Sequence, residues 1–209
     1  MTCIVSTVSS QYAVLASDSG ITWDNIKATP TNKIVQQGTW LIGAAGADRV
    51  CDVVQFGIKY PVVPKTVNLD DYNEAMKFMV TKVVPLIRDA MSDEQSLKTE
   101  NGVAGIPDDS YFTLVTHGKS FTVSETLGVS VNRDYSVIGS GTELAMGYLA
   151  HGWKDPDWVK KHDQHAAWAV EAAIKHDTYC GAPVMAYKSF PSGEVKMYRK
   201  GVGTGTVEK

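Results

Sequence analysis

The chain has 209 residues and a mass of 22.7 kDa, enough for one domain with a substantial core and too little for two ordinary domains with a linker. Hydrophobic residues at 44% and charged residues at 21% are globular proportions, which exclude a disordered tail or a fibrous protein. A formal charge of -3, with both signs interspersed and no basic stripe, speaks against nucleic acid or an anionic membrane as partner and leaves small or peptidic substrates open.

Residues 1–209 are therefore read as a single domain. No apolar run reaches the length of a membrane span, and the start, Met1-Thr2-Cys3-Ile4-Val5, has neither a positive n-region nor a signal-peptide core, so a cytoplasmic location is expected. Cys3, Cys51 and Cys180 form an odd set without CxxC spacing and are expected to be reduced thiols, with no cofactor or metal.

In chain order, Thr2–Val8 and Tyr12–Ala16, separated by Ser9-Ser10-Gln11, predict a first hairpin. Lys33–Gln37 and Thr39–Ile42 around Gly38 predict a second, after which Gly43-Ala44-Ala45-Gly46 breaks the pattern and a helix starts near Ala47. From Asp70 to Ala90, apolar residues such as Tyr72, Ala75, Met76, Met79, Val83 and Ile87 recur with helical period, with Pro85 as a kink point. Residues 95–109 are predicted as a loop, followed by a hairpin of Tyr111–Thr116 and Phe121–Ser124.

Tyr135–Ile138 is a short strand running into Gly139-Ser140-Gly141 and a helix over Glu143–Ala150. Asp155-Pro156 predicts a cap and first turn for a helix to His176 that buries Ala166, Ala169, Val170 and Ala173. Val184–Lys188 and Glu194–Tyr198 form a last hairpin, and the tail from Gly201 is loose. Blocks of strands and paired helices point to an α+β fold with antiparallel sheets packed together and helices outside.

A strand that begins directly after the initiator Met places Thr2 at the end of a structured element. Methionine is normally trimmed before a small residue such as Thr, which leaves an α-amine and a hydroxyl on one residue: a nucleophile with its own base. Other residues join it: Val14-Leu15-Ala16-Ser17-Asp18-Ser19-Gly20, Thr31-Asn32-Lys33-Ile34, Gly43-Ala44-Ala45-Gly46-Ala47-Asp48, Ile138-Gly139-Ser140-Gly141 and His176-Asp177-Thr178-Tyr179-Cys180-Gly181. With Thr2 these motifs resemble, in order and at similar separations, those of proteasome β-type subunits. The resemblance runs from residue 2 to residue 181 and implies a four-layer αββα sandwich, the N-terminal-nucleophile hydrolase fold.

It also implies roles. Thr2 Oγ would attack a peptide carbonyl while the Thr2 α-amine takes the proton. Lys33 would keep that amine neutral and Asp18 would hold Lys33. Gly46 N–H would stabilise the oxyanion. Ser140, Asp177 and the residue at 180 would support the amine and a relay water. Thr22 would hold the substrate backbone as an added strand, and Ile21, Val35 and Ala44 would border the first side-chain pocket and favour apolar residues.

The chain departs from the pattern in three places. Cys180 stands where the family has serine, and a thiol is the weaker hydrogen-bonding group. The segment between Gly46 and Asp48 is short, which leaves Ala44 and Ala45 as neighbouring options for the oxyanion position. With no propeptide before Thr2, maturation is expected to depend on methionine trimming, as in the simpler bacterial relatives.

Two rival sites are set aside. His162 and His165, among Lys160, Lys161 and Asp163 and not far from His151 and His176, read as a solvated helix face rather than a metal site. Gly201-Val202-Gly203-Thr204-Gly205 looks like a phosphate loop, but no helix follows it. The expectation is a threonine peptidase acting on peptides or unfolded proteins, in a homo-oligomer of stacked rings whose contacts involve the helices over 47–60 and 70–91. An unfoldase or activator partner leaves no signature in this chain. The alternatives are a hydrolase of small amides on the same fold, or a noncatalytic scaffold.

Overall fold

The computed structural model describes residues 2–20, 22–23, 26–27, 31–100, 103–106 and 110–201. The first hairpin is β1 (Ile4–Val8) and β2 (Ala13–Ser17), followed by a short ribbon of β3 (Thr22–Trp23) and β4 (Ile26–Lys27). The second hairpin is β5 (Ile34–Gln37) and β6 (Trp40–Ala45), turned at Gly38, whose φ of 57° suits glycine. The β6 strand runs through Gly43, Ala44 and Ala45, so the break expected there falls at Gly46. The ladder holds because Gly43, Ala44 and Ala45 pair with Thr113, Phe112 and Tyr111.

Helix α1 (Asp48–Asp52) passes into a π-helical turn over Val53–Gly57. The long amphipathic segment is α2 (Tyr72–Phe78), capped by the Asp71 side chain, then a π-helical turn (Met79–Val83), then α3 (Val84–Asp93). Pro85 lies in the first turn of α3, where its missing N–H costs little, and the wide π turn absorbs its ring. The stretch expected as a loop contains a ribbon, β7 (Lys98–Glu100) and β8 (Val103–Gly105).

Strands β9 (Tyr111–Thr116) and β10 (Lys119–Val123) form the third hairpin, and β11 (Val129–Asn132), which the sequence reading passed over, pairs with β10. Then come β12 (Tyr135–Ile138), α4 (Thr142–Gly152), α5 (Trp158–His176), β13 (Val184–Ser189) and β14 (Val195–Gly201). Helix α5 begins two residues later than the Asp155-Pro156 signal. Asp155 Oδ1 accepts the Asp157 N–H at 2.8 Å, and this turn delays the helix.

The strands make two five-stranded antiparallel sheets, β12-β1-β2-β13-β14 and β11-β10-β9-β6-β5. Alternation along β1 and β2 explains the layering. Val5, Val14 and Ala16 face the α4–α5 layer with Ala166, Ala169, Val170 and Ala173, whereas Ile4, Ala13 and Leu15 face Leu41, Ala45 and Val115 of the second sheet. The far side of the second sheet packs Ile42, Ala44, Phe112 and Leu114 against α1–α3. The order of layers is α, β, β, α, as expected.

A hydrogen-bonded group pins the two sheets: Ser6 Oγ lies 2.8 Å from Ser120 Oγ and 2.9 Å from Ser136 Oγ, and Asn132 Nδ2 donates to Ser120 Oγ at 2.9 Å. His162 and His165 of α5 overturn the solvated-face reading, since both are buried. His162 Nδ1 lies 2.9 Å from Thr7 Oγ1 and its ring stacks on Tyr12, while His165 packs on Trp158 with Nδ1 3.3 Å from the Tyr148 hydroxyl. Aromatic neighbours and hydroxyls on the first sheet and on α4 draw them inward. The phosphate-loop-like run and the tail, from residue 202 on, lie outside the described residues.

Candidate active site

Sheet register decides which loops meet. Ile4 pairs with both Ser17 and Ile138, and Ser17 pairs with Met185, so residues 2–3, 18–20, 139–141 and 177–183 converge at one end of the first sheet. In the second sheet Ile34 pairs with Gly43, which brings Lys33 and Gly46 to one end of that sheet.

Asp18 is the centre of this convergence. Its carboxylate is fully buried and takes both 3.0 Å contacts from Lys33 Nζ, whose side chain is 10% exposed. Oδ1 also accepts the Cys3 N–H at 2.9 Å, and Oδ2 accepts the N–H groups of Gly20 and Gly181, each at 3.0 Å. Four groups, the Lys33 ammonium and three backbone N–H groups, thus donate to one carboxylate, the condition under which a buried charge is tolerated. Gly20 and Gly181 allow it: a Cβ on Gly20 would lie 2.5 Å from Gly181 N, and one on Gly181 would lie 2.8 Å from Gly20 Cα.

A second group surrounds the Thr2 backbone. Thr2 N–H donates to Ser140 Oγ at 3.3 Å, Ser140 Oγ donates to Asp177 Oδ2 at 3.0 Å, and Cys180 Sγ donates to the same oxygen at 3.3 Å. Asp177 Oδ1 accepts the Tyr179 N–H at 2.9 Å. Burial opposes the Asp177 charge, but the donors Tyr179 N–H, Cys180 and Ser140 outweigh it and hold the carboxyl below the usual carboxylate range. The Cys180 thiol is pushed well up, first by its contact with the Cys3 thiol and then by burial. Gly139, with φ of 96°, brings the loop against Thr2; a Cβ there would stand 2.1 Å from the Thr2 carbonyl oxygen.

Gly46 has φ of 134°, and a Cβ on it would meet Ser110 Oγ at 2.4 Å. It is exposed, and among the described residues its N–H donates to no acceptor. Ala44 and Ala45 are buried inside β6. Of the three candidates for an oxyanion donor, Gly46 alone is turned outward.

The proposed pocket residues are spread. Val35 is half-buried on β5 opposite Ile42, and Ala44 is buried in the cluster under α1. The Thr22 backbone pairs with Lys27 in the β3–β4 ribbon, and Ile21 lies outside the described residues. Cys51 on α1 is pushed up to about 12, chiefly by burial and then by Asp48 and Asp52, which makes it an unreactive thiol. Sequence reasoning missed the Cys3 N–H, Gly20, Gly181, Gly139 and Ser110. Their parts are played by backbone or by close packing, which residue type does not reveal.

Among the described residues no set of three or more His, Cys, Asp or Glu is arranged to hold a metal, and no helix is long and apolar enough to cross a membrane. No protein-family model matches the chain, and no curated protein matches it in sequence. Two solved structures are similar to it. Thiobacillus denitrificans BPH in complex with epoxomicin matches at 16% identity and a TM-score of 0.67, over 89% of this chain and 97% of that one. A second structure of Thiobacillus denitrificans BPH matches at 15% identity and a TM-score of 0.67, over 89% and 96%. BPH is a bacterial proteasome homologue, and the αββα sandwich described above is accordingly a proteasome-like fold.

Proposed function

We propose that the chain is a threonine-type N-terminal-nucleophile peptidase, a subunit of a self-compartmentalised ring protease that cleaves peptides or unfolded proteins in the cytoplasm. The observation that carries this reading is the buried Asp18–Lys33 pair, fastened to the residue next to Thr2 through the Cys3 N–H. Folding does not require a buried ion pair at that place, since an apolar pair of similar volume serves stability as well or better. Epoxomicin, bound by one structural neighbour, inhibits threonine proteases, which supports the same reading.

In this mechanism Met1 is first removed. Thr2 Oγ then attacks the scissile carbonyl carbon and its proton passes to the Thr2 α-amine, directly or through a water. A free α-amine has a reference pKa of about 8, and the Lys33 charge favours its neutral, basic form. Gly46 N–H receives the oxyanion, and the amine returns the proton to the leaving nitrogen. Water then hydrolyses the acyl-enzyme ester. Ser140 and Asp177, with Cys180, orient the amine, the substrate lies along Thr22 as an added strand, and Val35 and Ile21 favour an apolar side chain, Ala44 being withdrawn into the core.

Assembly fits the surface. Phe56 is 69% exposed on the α1–α3 layer and Val159 51% exposed on α5, so both outer layers carry apolar groups suited to contacts between copies. The test is intact-mass spectrometry before and after an epoxyketone or β-lactone. Loss of Met1 and one adduct, absent in Thr2→Ala, is the expected result. A folded chain that keeps Met1, or that is trimmed and never labels, would sink the peptidase reading in favour of a scaffold.

A further inference from the structure

Lys33 stands at the start of β5, the outermost strand of its sheet, and an edge strand has a ladder partner on one side only. From the helical layer it is held by Gln55. Gln55 Nε2 donates to the Lys33 carbonyl oxygen at 2.8 Å and to the Ile42 carbonyl oxygen at 3.2 Å, so one amide nitrogen spans β5 and β6. Two carbonyl oxygens demand the donor end of the carboxamide, which fixes its orientation and uses both N–H groups. The Gln55 backbone takes the other end of the strand, its carbonyl oxygen accepting Gln37 Nε2 at 2.8 Å.

Gln55 lies in the π-helical turn Val53–Gly57, and the turn explains its reach. Successive residues of an α-helix are about 100° apart, so three in a row do not face one side. Here Val53, Val54 and Gln55 are all buried, because the wider π turn narrows their spread. Covering a sheet needs apolar side chains, which Val53 and Val54 supply; a buried amide costs desolvation and is there for what it bonds. We propose that Gln55 is a positioning residue: by pinning the Lys33 main chain from the π-helical turn, it sets where the Lys33 ammonium stands beside Asp18 and toward the Thr2 amine. The pinning is a matter of geometry; its effect on the amine rests on the peptidase reading.

The charged groups at this corner are Lys33 from β5, Asp18 from the turn after β2 and, through Ser140, Asp177 from the turn after α5. A change at Gln55 leaves all three in the chain, so it acts on the amine by moving Lys33. With the cation farther away, the charged form of the amine is less disfavoured and its pKa rises.

The test uses the full-length protein in the assembly it forms. Lys33-Ile34 is the one Lys-Ile pair in the chain, so lysine labelled at the carbonyl carbon with isoleucine labelled at nitrogen gives a single solid-state NMR signal, that of the Lys33 carbonyl. Wild type, Gln55→Met and Val54→Ala are compared, the last removing buried packing and no side-chain donor. The rate of epoxyketone labelling is followed against pH on the same samples. In Gln55→Met the carbonyl signal moves upfield as its donor is lost. The midpoint of the acid limb rises by about half a pH unit or more, with labelling below it reduced about tenfold for each full unit. Val54→Ala changes neither. An unmoved carbonyl, an unmoved acid limb, or an equal shift of the limb in Val54→Ala overturns the proposal. A moved carbonyl in a protein whose wild type never labels upholds the pinning of Lys33 and removes the peptidase reading instead. Gln55→Asn, one methylene short of the two carbonyls, is the second variant if Gln55→Met does not fold, and is read in the same way.

Discussion

The Asp18 carboxylate shows how a single residue can be both a structural and a chemical commitment. Removing its cation in Lys33→Met leaves a fully buried charge supported by the N–H groups of Cys3, Gly20 and Gly181. Breaking a buried pair from one side costs about 3–5 kcal/mol, and the three remaining donors place this case near about 3 kcal/mol. Urea unfolding of wild type and variant measures it; a loss under about 0.5 kcal/mol would mean that the pair behaves as an exposed one. Gly46→Ala adds a Cβ at positive φ and drives it into Ser110, for an expected loss of about 1–3 kcal/mol together with labelling. Adding Ser110→Gly removes the side-chain part of the clash but neither the backbone contact, with the residue 110 Cα 2.6 Å away, nor the φ strain, so the double variant should regain only part of the stability. Full recovery would show that φ at 46 is not a constraint.

At the scale of elements, what could be read in the sequence was what local pattern determines. Alternation gave the hairpins of β1–β2, β5–β6 and β9–β10, and helical period gave the extent of α2–α3, but not the π turn that lets Pro85 stay inside it. Strand β11 escaped because Val129-Ser130-Val131-Asn132 is short and takes its place by pairing with β10. The residues of the candidate site were found through resemblance. Ser140 and Asp177 meet across 37 positions of chain, and the three N–H donors to Asp18 are available in any residue but proline. Charged neighbours along the chain suggested water around His162, whereas its actual neighbours are Thr7 and Tyr12 of the first sheet.

That burial has a consequence for pH. Desolvation, opposed by Asp163 and aided by Lys188 and His165, lowers the His162 pKa from 6.5 to about 4. Between these values the unfolded chain binds a proton that the folded one refuses. Stability contributed by neutral His162 is therefore present above about pH 6.5 and is lost as pH falls toward about 4, at up to about 1.4 kcal/mol per unit. Unfolding free energies at pH 7 and pH 5 should differ by about 2 kcal/mol more in wild type than in His162→Gln, which cannot titrate. Equal slopes would assign the acid sensitivity to other groups.

The whole molecule is a sandwich whose two outer helical layers are both incompletely covered. On one, Phe56, Val80 and Leu86 are exposed; on the other, Leu144, Met146, Val159 and Trp168 are. Such groups occur on monomers too, but the proposed ring would use one layer for each of two separate contacts, as closed assemblies do. Native mass spectrometry should therefore find the chain at a multiple of 22.7 kDa. Phe56→Asp and Val159→Asp lie on different layers and should each reduce the assembly, to different smaller species, because a buried unpaired carboxylate is costly at either contact. Unchanged circular dichroism in both variants would separate lost contacts from lost folding. If the wild type is a monomer at the concentrations at which it labels, enclosure by a ring is not part of its function, and a hydrolase open to small amides becomes the better account of the same site.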